Sequence, residues 1–194
     1  MQPLVTVITP TTKDREQFMP RLKDMVQSQT YPYIEHLIDD GAGTVGEKRN
    51  RLCQRAKGSI IVHMDSDDIY SPIWVDKCVK SLLQSGADIT GLSVANFQDL
   101  DSLDMYRYTY PNTESIHGAT MCYYKEHALM YPFMKFMEGE DSQFCKGKRL
   151  YCHGYIDGFT ATIHSGNTSK KNVTGERWEK DGVIHYSGNL NSLQ

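Results

Sequence analysis

Residues 34–68 read IEHLIDDGAGTVGEKRNRLCQRAKGSIIVHMDSDD, and the fold turns on how they divide. A short strand-like run, 34–38, leads into paired aspartates and a glycine-rich turn. A helix-like run follows from about Val45 to Ala56, with Gly58 placed as its stop. A second apolar, β-branched run, 59–64, ends in the acids DSDD (65–68). Strand, helix and strand within about thirty residues make a crossover unit of a parallel sheet. Inside it, GAGTVG (41–46) satisfies G-x-G-x-x-G. Asp65 lies 19 positions after Gly46, near where a dinucleotide fingerprint sets its ribose-binding acid.

Outward from this unit the alternation continues. LVTVIT (4–9) is a strand closed by Pro10, and Phe18, Leu22, Met25 and Val26 share one helical face. Downstream, SPIWVDKCVKSLLQSG (71–86) is a helix with Ser71 as N-cap, Pro72 in its first turn and Gly86 as its stop. ADITGLSVANF (87–97) reads as a fourth strand. From Asp99 the pattern loosens into aromatic strand-like pieces (MYRYTY, GATMCYY, RLYCHGY, GFTATIH) and a short helix near GEDSQFCKG. The expected fold is α/β and single-domain: a mostly parallel central sheet with mixed strands in its second half. Residues 1–98 form a first half, 99–168 a second and 169–194 a tail.

At 194 residues the chain can bury one substantial core. Its 21 basic against 24 acidic residues leave a charge of −3, which does not advertise a polyanion partner. Five cysteines without a C-x-x-C pair point to reduced thiols and a cytoplasmic setting. No run is apolar enough for a signal or a membrane span, so the sequons at Asn167 and Asn172 read as chance.

Ligands of open α/β sheets bind beyond the carboxyl ends of the strands. Here those ends carry Pro10-Thr11-Thr12, Asp39-Asp40-Gly41 and Asp65-Ser66-Asp67-Asp68, five carboxylates in all. Crowded carboxylates raise one another's pKa, and a divalent cation relieves them. All-oxygen ligands suit Mg²⁺ or Mn²⁺. A pyrophosphate at a helix N-terminus wants bare amides and positive potential, which Asp39 and Asp40 oppose. The dinucleotide fingerprint also belongs after the first strand of its domain, whereas a strand and a helix precede this one. The nicotinamide reading is therefore set behind a metal–nucleotide site.

At these residues the chain resembles a family 2 glycosyltransferase of the GT-A fold. VTVITPTTKDR resembles that family's first strand and loop, and SQTYPYIEHLIDDG its second strand with the Asp-Asp turn. GEKRNRLCQRAKGSIIVHMDSDD resembles its helix, third strand and D-x-D motif. GEDSQF resembles the later Glu-Asp motif and IHSGN a metal-ligand histidine. The resemblance runs from about residue 3 to 168 and implies roles for single positions. Pro10, Thr11 and Asp39 would hold the uridine, with Asp39 accepting from the uracil imide N–H, while Arg49 and Lys48 reach the nucleotide. Asp65, with Ser66 beside it, would bind the ribose or donor sugar. Asp67 and His164 would ligate Mn²⁺ or Mg²⁺, with Asp68 a lesser candidate. Asp141 would be the base that deprotonates the acceptor hydroxyl, giving inversion. Departures are the AGT segment after the Asp-Asp turn, Lys48 where a small residue is common, and an end soon after the histidine.

Simpler readings stand beside these. DSDD fits a strand-to-helix turn, Glu140 and Asp141 fit helix-opening acids, and His164 fits a local hydrogen bond. Lys48, Arg49 and Arg51 fit a solvated helix face. Tyr106, Tyr108, Tyr110, Tyr123 and Tyr124 alternate as cross-strand residues do, Gly118 fits close backbone packing, and Cys122, Cys145 and Cys152 fit buried small hydrophobes. The expected function is metal-dependent, inverting transfer from a UDP-sugar to an acceptor hydroxyl. Alternatives are a catalytically silent nucleotide- or glycan-binding module and an NAD-binding oxidoreductase. The acceptor stays open among small molecules, proteins, lipid-linked glycans and hydroxylated DNA bases, the last through Lys146, Lys148 and Arg149.

Overall fold

The computed structural model describes residues 2–110 and 115–181. In chain order these form β1 (Val5–Pro10), α1 (Met19–Gln27), β2 (Ile34–Asp39), α2 (Val45–Arg55), β3 (Ile60–His63) and β4 (Ile69–Tyr70). Then come α3 (Trp74–Ser85), β5 (Ile89–Gly91), β6 (Val94–Asp99), β7 (Met105–Thr109), β8 (Cys122–Tyr124) and α4 (Lys125–Met130). The chain continues through α5 (Glu140–Cys145), β9 (Leu150–Cys152), β10 (Phe159–Ile163) and β11 (Trp178–Asp181). Strands β2-β1-β3-β8-β5-β9 make one sheet and β11-β7-β6-β10-β4 a second. β1 pairs parallel with β2 and β3, so Pro10 lies beside Asp39 and the strand ends converge.

β1 is buried at every position, as the central strand of a sheet covered on both faces must be. Its Val5 and Val7 join Leu22 and Val26 of α1 and Trp74, Val75 and Cys78 of α3 in one core. Phe97 and Phe159 of the second sheet belong to the same core. Ile8 and Ile61 face the other way, onto Leu52 of α2, Ala128 of α4 and Phe144 of α5. The period of two along the strands thus splits the apolar residues between two cores. Thr6 and Thr9 sit in β1 without penalty because their hydroxyls donate to Glu35 (2.7 Å) and to the Met64 carbonyl (2.7 Å).

The sequence expectations need several corrections. The fourth strand is two: β5 and β6 break at Leu92-Ser93 and enter different sheets. Ser71 is no N-cap, since α3 starts after Ile73 and the Ser71 hydroxyl lies 3.3 Å from that of Tyr155. Gly86 ends α3 in the left-handed conformation, φ 65°, as expected. Gly58 does not: α2 ends on an extended Ala56, and Gly58 is small because a Cβ there would stand 2.5 Å from the Thr6 amide. Cys152 is half-buried while the other four cysteines are buried, all as free thiols. β11 draws residues 178–181 of the expected tail into the second sheet beside β7; residues 182–194 of that tail lie outside the described residues. Among the described residues, no helix is long and apolar enough to cross a membrane.

Candidate active site

The glycine-rich turn serves helix α2. Thr44 is its N-cap: the Thr44 hydroxyl accepts the Glu47 N–H (3.2 Å) and Glu47 Oε2 accepts the Thr44 N–H (3.0 Å), a capping box. Gly43 has φ 114°, which L side chains avoid. The Gly46 N–H points to the Phe136 carbonyl (3.4 Å), and a Cβ on Gly46 would overlap the Met134 carbonyl. The helix N-terminus is thus approached by residues 134–136, and the Thr44, Gly46 and Glu47 amides that a pyrophosphate would want already have acceptors. The T-x-x-E signature was present in TVGE (44–47) and explains the turn better than its glycines do.

One cleft of about 350 Å³ opens where the two sheets meet α5. Pro10, Arg49, Asp65, Asp67 and Asp141 of the expected site residues line it, together with Asp68. Thr11, Asp39, Lys48, Ser66 and His164 are not among its lining residues. Arg15 and Lys171, which the sequence reading missed, face it too, as do Tyr110, His117, Gly118, Asn167 and Thr168. Arg15 closes the VTVITPTTKDR segment, in a short 3-10 helix (Lys13–Phe18), but was given no role there, and Lys171 lies in the expected tail.

Lys48 and Arg49 do not form a solvated face; both are buried. Lys48 Nζ donates to the Thr11 carbonyl (2.6 Å), and burial pushes its pKa down. The Thr11 hydroxyl donates to Ser66 Oγ (3.1 Å), so Lys48, Thr11 and Ser66 brace the loop behind the cleft. Arg49 pairs with Glu140 and lies 3.8 Å from Asp65 Oδ2, with Phe133 under its guanidinium at 5.6 Å. It thereby joins β3's acidic end to the N-terminus of α5. Asp39 is buried and gripped by Arg51 through Nε (2.7 Å) and Nη2 (3.0 Å), and its Oδ1 takes the Gly41 N–H (3.0 Å). That grip, led by the Arg51 hydrogen bonds, holds its carboxyl below the usual range.

Three acids follow β3 and have three environments. Burial raises the Asp65 pKa against the pull of Arg49, and Asp65 Oδ1 is buried without a hydrogen-bond partner among the described residues. Asp68 is raised well above the usual carboxylate value by burial and by Asp67 and Asp65; its Oδ1 accepts the Thr162 N–H (2.9 Å). Asp67 goes the other way. Burial pushes it up, but the His164 hydrogen bond and the Arg15 charge outweigh that and hold it low.

His164 Nε2 is 3.0 Å from Asp67 Oδ2, and His164 Nδ1 accepts the Gly166 N–H (3.1 Å). An amide can only donate, so Nδ1 carries the lone pair and Nε2 donates to Asp67. The two groups suit a shared metal by chemistry and closeness, provided His164 gives up that proton. Among the described residues no three His, Cys, Asp or Glu side chains gather to hold a metal by themselves. The donor set fits a cation that takes its remaining ligands from phosphates and water, as Mg²⁺ commonly does. The unpartnered Asp65 oxygen beside it is consistent with a group still to be bound.

Asp141 lines the same cleft from the first turn of α5, its Oδ1 accepting the Ser142 N–H (2.7 Å). The tyrosines divide: Tyr123 is core, Tyr106 and Tyr108 pack on Trp178, Tyr124 is exposed and Tyr110 reaches the cleft.

Residues 43–155, more than half of the chain, match the model of the family described as "Glycosyl transferase family 2". No curated protein matches this sequence. Among solved structures, the fold is similar to the 1–349 portion of S. aureus TarS in complex with UDP-GlcNAc, with TM-score 0.64 and 14% identity over 85% of this chain and 60% of that one. It is also similar to the mannosyltransferase PcManGT from Pyrobaculum calidifontis in complex with GDP-Man and Mn²⁺, with TM-score 0.62 and 14% identity. That match covers 84% of this chain and 57% of the other. The chain spans about three fifths of the length of these structures. At such identity the likeness concerns the fold, a GT-A arrangement. With more than half of it matching that family's model, and with strand-end acids, buried Arg49 and Asp141 gathered on that fold, the chain belongs to glycosyl transferase family 2.

Proposed function

We propose that the cleft transfers a glycosyl group from a nucleotide-sugar, read as a UDP-sugar, to an acceptor hydroxyl with inversion. The observation that carries this is the gathering of two acid sets in one cleft: Asp65 and Asp67 beyond β3, and Asp141 at the head of α5. Asp39 keeps a lone pair on Oδ2 beyond its Arg51 bond and would accept the uracil imide N–H. Asp65 would accept from ribose or sugar hydroxyls. Asp67, with His164, would hold Mn²⁺ or Mg²⁺, which neutralises the charge that develops on the departing diphosphate. Asp141 would take the acceptor proton, and attack opposite the leaving group inverts the anomeric carbon. Residues 1–98 would serve the donor and 99–168 the acceptor. The neighbours bound to UDP-GlcNAc and GDP-Man support a nucleotide-sugar as donor class.

One observation favours a second reading, a silent nucleotide-binding module: Asp67 Oδ2 is already met by both Arg15 (3.1 Å) and His164. Release of UDP or GDP from UDP-glucose, UDP-galactose, UDP-GlcNAc and GDP-mannose in the presence of Mn²⁺ separates the two. Turnover with one donor that Asp141→Asn lowers by about a hundredfold supports transfer. Nucleotide binding with no turnover on any donor supports the module.

A further inference from the structure

Behind Asp141 runs a chain of buried polar groups for which glycosyl transfer has so far given no use. His63 ends β3 fully buried, following the apolar Ile60, Ile61 and Val62. Its Nδ1 is 2.6 Å from the Gly118 carbonyl oxygen and its Nε2 2.8 Å from the Tyr123 hydroxyl. A carbonyl only accepts, so Nδ1 carries the proton and Nε2 the lone pair. Nε2 therefore accepts the Tyr123 O–H, and the Tyr123 oxygen is left to accept from the Cys53 thiol at 3.5 Å. Burial, then the nearby Arg49 charge, keeps this imidazole neutral far below its ordinary pKa. The relay has one direction, Cys53 to Tyr123 to His63 to Gly118.

Its last member lies against Asp141. A Cβ added to Gly118 would stand 2.7 Å from Asp141 Oδ2 and 3.2 Å from the Asp141 Cβ. The turn Gly118–Thr120 is fixed at its next carbonyl as well: the Tyr70 hydroxyl donates to Ala119 (3.1 Å) and accepts the Asp65 N–H (2.8 Å). An apolar residue at 63 would fill the strand at lower desolvation cost. What it would lack is a directional bond to one backbone oxygen.

We infer that His63 is a positioning residue for glycosyl transfer: by holding the Gly118 carbonyl it fixes the surface on which the Asp141 carboxylate rests. Gly118 is the contact point, bare because a side chain there would displace that carboxylate. The inference rests on the reading of Asp141 as base.

The test is hydrolytic release of UDP or GDP from the four donors named above, with water as acceptor. Gly118→Ala and His63→Leu should lower kcat by about tenfold to a hundredfold while donor KM stays within about twofold. His63→Asn, whose amide N–H₂ can reach the same carbonyl, should recover most of the rate. Full turnover by Asp141→Asn would overturn the base reading. An inactive Asp141→Asn beside a wild-type rate in Gly118→Ala and His63→Leu would overturn the positioning role alone. Two measurements need no turnover. Imidazole ¹⁵N spectra of the wild-type protein should show His63 neutral and Nδ1-protonated from about pH 8 to about pH 5. A crystal structure of Gly118→Ala should show the Asp141 carboxylate displaced by about 1 Å or more. An Nε2-protonated ring, or an unmoved carboxylate, would overturn the inference.

Discussion

Arg15 places a guanidinium nitrogen 3.1 Å from Oδ2 of Asp67, the same oxygen that takes the His164 Nε2–H at 3.0 Å. The arginine also ties down the loop after β10, through the Gly166 carbonyl (2.8 Å) and the Thr168 hydroxyl (3.2 Å). A divalent cation at Asp67 must compete with that fixed positive charge. Even at the dielectric of water a unit charge at about 4 Å is worth about 1 kcal/mol. Arg15→Ala should therefore bind Mn²⁺ without nucleotide about tenfold more tightly than wild type. Titration of free Mn²⁺ by electron paramagnetic resonance measures this, and equal or weaker binding would contradict it.

Arg49 is buried between Glu140 and Asp65, so its removal leaves two carboxylates without their cation. Arg49→Met should cost about 3–5 kcal/mol of unfolding free energy. Arg49→Lys should not restore it, because one ammonium cannot reach both acids as the planar fork does. Urea denaturation gives the answer; a loss under about 1 kcal/mol would mean that the pairs are weak.

His153 is buried against Trp74, and burial lowers its pKa to about 4 from 6.5. Burial, with Lys23 second, lowers His36 to about 4 likewise. Below pH 6.5 the unfolded chain takes up protons at these positions and the folded chain does not. Stability should thus be complete above about pH 6.5 and fall as the pH drops toward 4, by up to about 3 kcal/mol for His153. His153→Phe should flatten that part of the profile, read as urea midpoints against pH. An unchanged slope would place the effect elsewhere.

Asp39 and Gly43 should separate binding from stability. Asp39→Ala should weaken UDP binding about tenfold by calorimetry, the worth of one charged hydrogen bond. Gly43→Ala places a side chain at φ 114° with its Cβ 2.9 Å from Glu47 Oε2. It should cost about 1–2 kcal/mol of stability through strain and the capping box, with nucleotide affinity kept. The reverse ranking in affinity would return the glycines to a nucleotide-binding role.

The first half of the fold was legible because its strands and helices carry their own periods and stops: β1, β2, β3 and α2 lie within a residue or two of their expected limits. The break between β5 and β6 was not legible, since Gly91 and Ser93 interrupt the strand-like run only singly and the split is made by the separate sheets. Helix α4 was missed because its six residues show less than two turns of periodicity. At the site, the acids announced themselves by their places after strands, while Lys48 and Arg49 were open to a surface reading. Their partners lie far off in the chain, the Thr11 carbonyl for Lys48 and Glu140 and Phe133 for Arg49, which local sequence does not reveal. His63 looked like one more strand residue; only the tertiary pairing with Gly118 and Tyr123 gives it a role.

The central claim is that this cleft binds a nucleoside diphosphate through Asp67 and a divalent cation. Calorimetric titration of UDP and GDP into wild type and Asp67→Ala, each with Mn²⁺ and with EDTA, tests it most directly. The predicted result is UDP binding in wild type that EDTA weakens by about tenfold or more and that Asp67→Ala loses to the same extent. Binding of neither nucleotide, or UDP binding indifferent to both EDTA and Asp67→Ala, would contradict it.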